Sequence, residues 1–397
     1  MDLTILPGKL KGSINVIPSK SQAHRMLICA AFADAPSTLL CPETSRDMDA
    51  TANCLRALGA EIIKNKAGFQ VTPIREVPQS VILPCQDSGS TLRFLLPIVG
   101  ALGVDATFLP EGRLAQRPLS PLWEEMQRMG CELSRPTENT IRCTGKLKPG
   151  VFQIDGGVSS QFITGLLLAL PLLKAESRIC VTGRLESKPY VEMTQQVMGW
   201  FGVSSEQYTV SGSSYCTKGT YTVEGDWSNG AFFLAANTLG NPVCVDNLSD
   251  DSTQGDKVCC DLLKQLKNNI IISAADIPDL VPILAVVAAH HRGALFTDIQ
   301  RLRLKESDRV ASVVSMIQSL GGSAEATQDT LTVYGTGLTG GIVDAVNDHR
   351  IAMSAAIAST VCRDSVTILG AQCVQKSYPR FWEEFHRLGG KYEQYLR

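Results

Sequence analysis

Two cations stand at the expected start of a helix near the beginning of the chain. Ser19 and Gln22 have the Ser-x-x-Gln spacing of a capping box, and the apolar run 26–32 supplies a buried helical face. A helix N-terminus already carries about half a positive charge, so Lys20 and Arg25 are unfavourable there unless an anion lies among them. For one isolated turn, a solvated Lys and an Arg paired with a distant carboxylate is the commoner arrangement. Other segments therefore decide whether this is an anion site.

Two further segments of the first half place hydroxyls and a glycine before apolar helices. Gly89, in an Asp-Ser-Gly-Ser turn, would let a backbone approach an anion closely, with the free N–H groups of the helix start facing it. Ser159, Ser160 and Gln161 put two hydroxyls and a carboxamide at another helix start, a set suited to a phosphorylated or polyhydroxy ligand. Taken singly, each serine is equally typical of a plain helix cap.

Two loops of the first half carry polar groups beside prolines. Pro118 disfavours helix at Arg117 and predicts an extended residue, the conformation expected of an arginine that binds a carboxylate or phosphate. Ser187 opens the sequence Ser-Lys-Pro-Tyr, which offers a hydroxyl, an amine and a phenol in one loop. A solvated loop is the competing interpretation for this second segment.

The second half of the chain adds carboxylates to the cations. Asp279 stands directly before the apolar run 280–289, where it would serve either as a helix cap or as a general base. The run 301–309 has strand-like alternation, which predicts that Arg301, Arg303 and Lys305 point to one side before a helix begins. Because this charged run lies among apolar segments, its charges are expected to pair or to meet a ligand.

Arg350 and Lys376 repeat the pattern of a cation at a helix start. Together the cations suit substrates that carry several phosphates and carboxylates. The cations are Lys20, Arg25, Arg117, Lys305, Arg309, Arg350 and Lys376, set against the acids Asp279 and Glu306.

Six similar turns organise the chain into α/β units. In each, a helical segment ends at a small or Gly-rich turn and passes into an expected strand, as a left-handed helix C-cap requires. The turns lie at 57–60, 128–131, 200–203, 266–269, 319–322 and 387–390, and the fourth lacks glycine. This repetition predicts six diverged copies of one α/β unit, three in each half, in an α/β or α+β fold. The Ser/Gly/Thr-rich stretch 211–220 places the hinge near residue 223.

Composition indicates a globular chain of two domains. The 397 residues carry a net charge of −2, with 37 Lys and Arg against 39 Asp and Glu, which argues against a nucleic acid or an anionic membrane as the main partner. No apolar stretch reaches the roughly 20 residues of a membrane span, and no signal or transit peptide is indicated. The thirteen cysteines have no metal-ligand spacing, so we expect reduced core thiols, no metal and a cytoplasmic monomer.

Motifs distributed along the whole chain resemble those of the 3-phosphoshikimate 1-carboxyvinyltransferases, the EPSP synthases, and they occur in the family's order. They are Pro18-x-Lys20-Ser21-x-x-x-Arg25, Ser88-Gly89-Ser90-x-x-Arg93, Arg117-Pro118, Ser159-Ser160-Gln161, 187–190, 223–226, 277–279, 304–309, 347–350 and 376–379. The resemblance implies an inside-out α/β barrel architecture, with two domains of three βαβαββ units each and the active site in the cleft between them. It places the first domain at 14–223, mainly for shikimate 3-phosphate, and the second at 224–397 with 1–13, mainly for phosphoenolpyruvate.

The resemblance also implies the reaction, in which enolpyruvate moves from phosphoenolpyruvate to the 5-hydroxyl of shikimate 3-phosphate without metal or organic cofactor. Asp279 would be the base, Glu306 the acid, and Lys20 a charge-stabilising group between the two substrates. The implied shikimate 3-phosphate site is Lys20, Ser21, Arg25, Ser159, Ser160, Ser187, Asp279 and Lys305. The implied phosphoenolpyruvate site is Lys20, Gly89, Arg117, Gln161, Arg309, Arg350 and Lys376.

Three departures and two rivals accompany the resemblance. Arg301 and Asp87 stand where many members have Asn, and Phe94 where others have Pro, so Arg301 is not carried over as a ligand. The sister enzymes that use UDP-N-acetylglucosamine have a cysteine shortly before the Arg-Pro pair, whereas 112–116 contains none. A non-catalytic phosphate-binding relative would be expected to lose Asp279, Glu306 or Lys376, and all three are present.

Overall fold

The computed structural model describes residues 1–395, and in that range helices and strands alternate as the sequence predicts. The α-helices are α1 Lys20–Ala31, α2 Arg46–Ala57, α3 Gly89–Leu102, α4 Leu122–Arg128, α5 Ser160–Ala169, α6 Lys188–Trp200, α7 Trp227–Thr238, α8 Cys259–Gln265, α9 Val281–His290, α10 Arg309–Ser319, α11 His349–Ala358 and α12 Phe381–Arg387. Short 3-10 helices cover Gly112–Gln116, Leu170–Leu173, Glu206–Tyr208, Gly255–Val258, Gln300–Leu304 and Ala371–Lys376.

The strands are mostly short, of two to seven residues. They are β1 Asp2–Leu6, β2 Gly12–Asn15, β3 Ser37–Leu40, β4 Glu61–Asn65, β5 Gly68–Thr72, β6 Ser80–Gln86, β7 Asp105–Pro110, β8 Cys131–Ser134, β9 Ile141–Gly145, β10 Val151–Asp155, β11 Ser177–Thr182, β12 Thr209–Val210, β13 Thr220–Thr222, β14 Val243–Asp246, β15 Ile270–Ser273, β16 Gly293–Thr297, β17 Ser323–Ala326, β18 Leu331–Tyr334, β19 Gly341–Asp344, β20 Val366–Leu369 and β21 Lys391–Tyr395.

The chain divides into two compact units. The N-terminal unit is Pro18–Glu224, and the C-terminal unit is Met1–Ile17 together with Gly225–Arg397. The sequence places these boundaries after residues 13 and 223. Strand β2, which crosses the first of those positions, pairs along its whole length with β14 of the C-terminal unit.

One sheet pattern recurs through both units. Each sheet begins with a parallel pair of strands, and its remaining strands join antiparallel. In the N-terminal unit the orders are β13-β3-β5-β4, β6-β7-β9-β8 and β10-β11-β12; in the C-terminal unit they are β15-β16-β18-β17, β19-β20-β1-β21 and β14-β2. The predicted α/β class with three repeated units in each half is confirmed, although two of the six sheets are shorter than the full pattern.

Three buried helices lie together in the interior of each unit. Helices α1, α3 and α5 contact one another in the N-terminal unit, and α7, α9 and α11 do so in the C-terminal unit. In α9, every residue from Val281 to Ala289 is buried, since the helix is apolar all round and has no polar face to turn outward. Helices α1, α3, α5 and α11 begin at segments that the sequence marks as candidate anion sites, and α9 begins two residues after Asp279. Among the described residues, no helix is long and apolar enough to cross a bilayer.

Five of the six predicted turns contain a glycine with positive φ. They are Gly59, Gly130, Gly202, Gly321 and Gly389. At Gly130, φ is +109° and a Cβ would lie 2.7 Å from the carbonyl oxygen of Lys146, so a side chain would be strained there. At the fourth turn neither Asn268 nor Asn269 has a positive φ, so the left-handed cap predicted there is wrong.

A close backbone approach between α3 and α5 depends on Gly165. A Cβ at this position would overlap the carbonyl oxygen of Arg93 in the middle of two buried helices. Backbone atoms cannot move aside as a flexible side chain can, so the separation of α3 and α5 is set by the absence of a side chain here.

We predict that Gly165→Ala lowers the free energy of unfolding by about 1–3 kcal/mol, because the added methyl overpacks this contact. Gly199→Ala is the matched control: Gly199 also lies in a helix, but a Cβ there meets nothing within 4 Å. This control should be neutral or stabilising by up to about 1 kcal/mol, since alanine is the better helix former. Urea unfolding of both variants measures the difference, and equal effects would contradict the packing argument.

Candidate functional site

Helix α1 begins with one half of the predicted capping box. The Ser19 hydroxyl accepts the backbone N–H of Gln22 at 3.4 Å, as expected. The Gln22 side chain does not return to Ser19; its Nε2 donates to Glu224 Oε1 at 3.1 Å, and its Oε1 accepts the Glu224 N–H at 2.9 Å. The Ser19 N–H donates to the Glu224 carbonyl at 2.7 Å. The predicted return hydrogen bond, from the Ser19 N–H to the Gln22 side chain, is therefore wrong, because Glu224 binds both groups instead.

Lys20 is the first residue of α1 and pairs with a carboxylate that the sequence analysis missed. Its Nζ lies 2.9 Å from Asp47 Oδ2, with the two side chains only 14% and 8% exposed. Asp47 lies in the first turn of α2, 27 residues away, and no local pattern in the sequence announces the pair. The carboxylate holds the ammonium at the helix start and offsets its repulsion with the helix dipole.

Arg25 joins helices α1 and α6 within the N-terminal unit. Its Nε donates to Thr194 Oγ1 at 2.8 Å, its Nη2 to the Tyr190 carbonyl at 2.9 Å, and its Nη1 to the Ser21 carbonyl at 2.6 Å. Burial lowers the pKa of this guanidinium to about 10, with Tyr190 and Cys29 opposing the shift, so the group stays charged at neutral pH. Arg25 thus fixes α1 against α6, and its role toward a ligand stays a prediction.

A second cationic group lies at the start of α3. A Cβ on Gly89 would be 2.8 Å from Arg93 Nη1 and 3.2 Å from Arg117 Nη1, so a glycine is what leaves room for both guanidinium groups. Arg117 has φ −66° and ψ 141°, which confirms the extended conformation predicted from Pro118. Two guanidinium groups beside free helical N–H groups form an environment suited to an anion.

Gln161 connects the starts of α3 and α5. Its Oε1 accepts Arg93 Nη1 at 3.0 Å, and its Nε2 donates to Ser90 Oγ at 3.1 Å. Arg93 Nη2 donates to the Pro118 carbonyl at 3.3 Å, which brings the loop of Arg117 to the same place. Arg93 was absent from the predicted site residues, although its position four residues after Gly89 puts both on one helix face.

Three predicted serines lie at the starts of α5 and α6. Ser159 caps α5 by accepting the Gln161 N–H at 3.3 Å, so it is at least the plain helix cap that the sequence allowed. Ser160 is the first residue of α5 and is buried. Ser187 precedes α6 in the left-handed region, with φ 54° and ψ 39°, and is also buried. All three therefore line the beginnings of helices that pack on each other.

Asp279 is not a helix cap, because the N-cap of α9 is Leu280 and it makes no side-chain capping bond. Asp279 Oδ1 accepts Arg309 Nη1 at 2.7 Å, and its Oδ2 accepts Arg350 Nη2 at 2.8 Å. Both carboxylate oxygens therefore bind guanidinium groups. The side chain is still 21% exposed, so it is not sealed inside the C-terminal unit.

Arg309 is fully buried at the start of α10 and contacts two further carboxylates besides Asp279. Its Nη2 donates to Glu306 Oε2 at 2.7 Å and its Nε to Asp348 Oδ2 at 3.0 Å. Asp348 also caps α11 by accepting the Arg350 N–H at 3.0 Å. Asp348 was not among the site residues predicted from the sequence, although an Asp before an apolar helix is a cap signal. A buried cation surrounded by carboxylates needs this full set of partners to offset its desolvation.

These contacts shift the pKa values of three groups in opposite directions. Desolvation raises the pKa of the Asp279 carboxyl, but the charges of Arg350, Lys305 and Arg309 outweigh it and hold that pKa well below its ordinary value. Desolvation lowers the pKa of Arg309, but Asp348, Glu306 and Asp279 raise it overall. Desolvation lowers the pKa of Lys305 to about 8, aided by Arg301 and Arg309 and opposed by Asp279 and Glu306. Lys305 is therefore the group poised to change charge just above neutral pH.

The strand predicted at 301–305 is wrong. Gln300–Leu304 forms a 3-10 helix, with Leu302 buried and Leu304 45% exposed, whereas a strand with one buried face would bury both. Lys305 follows this turn, and Arg303 pairs with Asp308 at 3.3 Å instead of pointing with its neighbours. Five residues of alternation are too few to separate a strand from a tight helical turn.

Lys376 ends a 3-10 helix and does not begin α12, which starts five residues later. It is 8% exposed, and the next residue, Ser377, accepts a hydrogen bond from Asn229 of α7 at 3.2 Å. The predicted cation therefore lies at the end of one short helix and beside the start of another central helix. The C-terminal unit thus gathers Asp279, Glu306, Arg309 and Arg350 directly, with Lys305 electrostatically coupled to them.

Comparison with known proteins shows the family of the chain. The family model for EPSP synthase (3-phosphoshikimate 1-carboxyvinyltransferase) matches residues 6–385. A 3-phosphoshikimate 1-carboxyvinyltransferase of Clostridium novyi (strain NT) is 38% identical over 98% of each chain, and one of Clostridium kluyveri is 37% identical over 99% of this chain and 98% of the relative. A solved EPSP synthase structure from Acinetobacter baumannii shares the fold, with a TM-score of 0.79 over 100% of both chains at 22% identity. The protein described here belongs to the EPSP synthase family.

Proposed function

We propose that this protein transfers the enolpyruvyl group of phosphoenolpyruvate to the 5-hydroxyl of shikimate 3-phosphate. The products are 5-enolpyruvylshikimate 3-phosphate and phosphate, in the shikimate pathway to aromatic amino acids. The observation that carries the proposal is the cluster in which one carboxylate, Asp279, is held by Arg309 and Arg350 beside a second acid, Glu306. It combines a base, an acid and anion-binding groups within the C-terminal unit of a family member.

The substrates divide between the cationic groups of the two units in this proposal. Shikimate 3-phosphate is bound mainly by the N-terminal unit, whose helix starts carry hydroxyls and cations, and phosphoenolpyruvate mainly by the C-terminal unit. For shikimate 3-phosphate we propose Lys20, Ser21, Arg25, Ser159, Ser160, Ser187, Asp279 and Lys305. For phosphoenolpyruvate we propose Lys20, Gly89, Arg117, Gln161, Arg309, Arg350 and Lys376.

The proposed reaction needs two proton transfers, one from the 5-hydroxyl of shikimate 3-phosphate and one to the methylene carbon of phosphoenolpyruvate. Asp279 accepts the proton of the 5-hydroxyl as that oxygen bonds to the central carbon of the enolpyruvyl group. Glu306 donates a proton to the methylene carbon, which becomes a methyl group in a tetrahedral intermediate. Loss of phosphate from the central carbon and return of a methyl proton to the enzyme regenerate the double bond in the product. Lys20 stabilises the negative charge between the substrates.

The contacts of Asp279 suggest how its basicity is controlled. Arg309 and Arg350, which we assign to phosphoenolpyruvate, bind both oxygens of Asp279 in this structure. An incoming anion competes with Asp279 for the same guanidinium groups, and any donor that turns to the substrate stops stabilising the charged form of Asp279. The pKa of Asp279 then rises toward its ordinary value, so binding of phosphoenolpyruvate makes the carboxylate a better base.

Two alternatives have less support. A UDP-N-acetylglucosamine enolpyruvyl transferase would have the cysteine that residues 112–116 lack. A non-catalytic phosphate-binding relative would have no reason to retain Asp279 and Glu306 on the same buried arginine. A cytoplasmic location is part of the proposal, since both substrates are phosphorylated anions that do not cross membranes unaided.

We predict that the purified protein releases phosphate when phosphoenolpyruvate and shikimate 3-phosphate are both present. Either compound alone, or phosphoenolpyruvate with UDP-N-acetylglucosamine, should give only background release. A colorimetric phosphate assay with product identification by mass spectrometry measures this. Absence of release with the first pair, from protein shown to be folded by circular dichroism, would refute the proposed function.

We predict that Asp279→Ala and Lys20→Ala each lower kcat/KM by at least about 100-fold, the usual scale for removing a general base or a charge-stabilising group. Asp276→Ala and Lys66→Ala are the matched controls, because both side chains are exposed and each lies in the same unit as the site residue that it is compared with. The controls should stay within about 2-fold of the unchanged protein, as surface substitutions usually do. Steady-state kinetics measure kcat/KM, and thermal melts show whether each variant is folded. Near-normal turnover in either site variant would contradict its assigned role.

We predict that kcat/KM for shikimate 3-phosphate falls as pH rises through about 8, the value to which burial and neighbouring cations lower the pKa of Lys305. Below that pH the ammonium is charged and attracts the substrate phosphate; above it the attraction is lost. Lys305→Arg should flatten the decline, since a guanidinium stays protonated throughout the range. A pH series of kcat/KM for both proteins measures this, and parallel declines would show that another group titrates.

A further inference from the structure

A chain of buried hydrogen bonds runs from α1 through α2 to the start of α3. His24 Nδ1, on fully buried His24 of α1, lies 2.7 Å from Thr51 Oγ1 of α2. Thr51 Oγ1 lies 2.6 Å from Thr91 Oγ1 of α3, and the Thr91 hydroxyl donates to Ser88 Oγ at 2.7 Å. Ser88 is the N-cap of α3, and Gly89 follows it. None of these four residues belongs to the catalytic or binding set assigned above.

The number of protons available fixes which group donates in each hydrogen bond of this chain. Each hydroxyl has one proton to donate. Thr91 gives its proton to Ser88, so it must accept the proton of Thr51. Thr51 has then used its proton, so it must accept from His24 Nδ1–H. The imidazole is therefore the neutral tautomer protonated on Nδ1. Its Nε2, buried and without a hydrogen-bond partner among residues 1–395, carries the lone pair.

The surroundings of the ring agree with a neutral imidazole. Burial lowers the pKa of His24 well below its ordinary value, and the nearby charges of Lys20 and Arg25 add to the effect. Phe94 of α3 packs its ring edge-to-face against His24, with centroids 6.3 Å apart, and Arg25 lies 5.0 Å over the same Phe94 ring. His24 thus touches α2 through a hydrogen bond and α3 through an aromatic contact.

We propose that His24 is a positioning residue that sets the start of α3, with Gly89 and Arg93, relative to the start of α1, with Lys20. It acts through Thr51 and Thr91 on the Ser88 cap, from which the backbone of the anion-binding turn continues. The inference rests on the proposed function in one respect: the affected ligand is phosphoenolpyruvate, because Gly89 is assigned to it. The hydrogen-bond direction itself needs no assumption about the reaction.

Replacing His24 by Leu or by Asn distinguishes the contribution of the Nδ1–H donor from that of the volume of the ring. Asn offers a side-chain N–H donor close to where Nδ1–H stands, whereas Leu offers none. We expect His24→Leu and Thr51→Val each to raise KM for phosphoenolpyruvate about 5- to 10-fold, the scale of one lost hydrogen bond, with kcat and KM for shikimate 3-phosphate changed less than about 2-fold. His24→Asn should recover most of the loss, and the double variant His24→Leu with Thr51→Val should be no worse than the poorer single variant.

One outcome would overturn the proposal: His24→Leu and His24→Asn change kcat and both KM values to the same extent. His24 would then only fill space. Nitrogen-15 NMR of the histidine-labelled, unmodified protein is the second measurement, with the His24 signals assigned by their loss in His24→Asn. It should show Nδ1 protonated and Nε2 unprotonated, and the reverse tautomer would also overturn the proposal. The NMR measurement tests the proposal even if His24→Leu does not fold. It also remains informative if the unmodified protein turns over no substrate, a result that would refute only the proposed function.

Discussion

The structure depends on how positive charge is held at helix starts, where the backbone is already positive. Arg309 is the extreme case, a fully buried guanidinium at the first residue of α10 that contacts Asp279, Glu306 and Asp348. Removing any one of these carboxylates would leave part of the buried positive charge of Arg309 uncompensated, which is strongly destabilising. The N-terminal unit meets the same constraint differently, with a carboxylate for Lys20 and neutral oxygen acceptors for Arg25.

The repeated fold makes these charges converge within each unit. Three buried helices contact one another in each unit, so groups at their first turns become neighbours although they are far apart in the chain. Gln161 reaches Ser90 across 71 residues, and Arg350 reaches Asp279 across 71 residues. A repeat of this kind assembles a polar site from many short segments, each of which alone would pass for a helix cap.

The contacts that stabilise these charges also set how readily Asp279 accepts a proton. A carboxylate with both oxygens on arginines is a weak base, so the groups that hold Asp279 in place also hold its pKa low. Substrate anions that draw the arginines away would relieve both effects at once. In the N-terminal unit, the hydrogen-bonded chain from His24 to Ser88 connects α1, α2 and the start of α3 without adding charge.

Local pattern in the sequence determined the α/β class, the caps at Ser19, Ser88 and Ser159, five of the glycine turns and the extended Arg117, because each depends on residues a few positions apart. Family motifs indicated the candidate site residues, but not what holds them. Only the tertiary structure decided that Lys20 pairs with Asp47, that Gln22 turns to Glu224, that Arg309 and Arg350 share Asp279, and that 300–304 is a 3-10 helix. Side-chain pairs tens of residues apart are set by helix packing, and a single sequence carries no periodic signal for them.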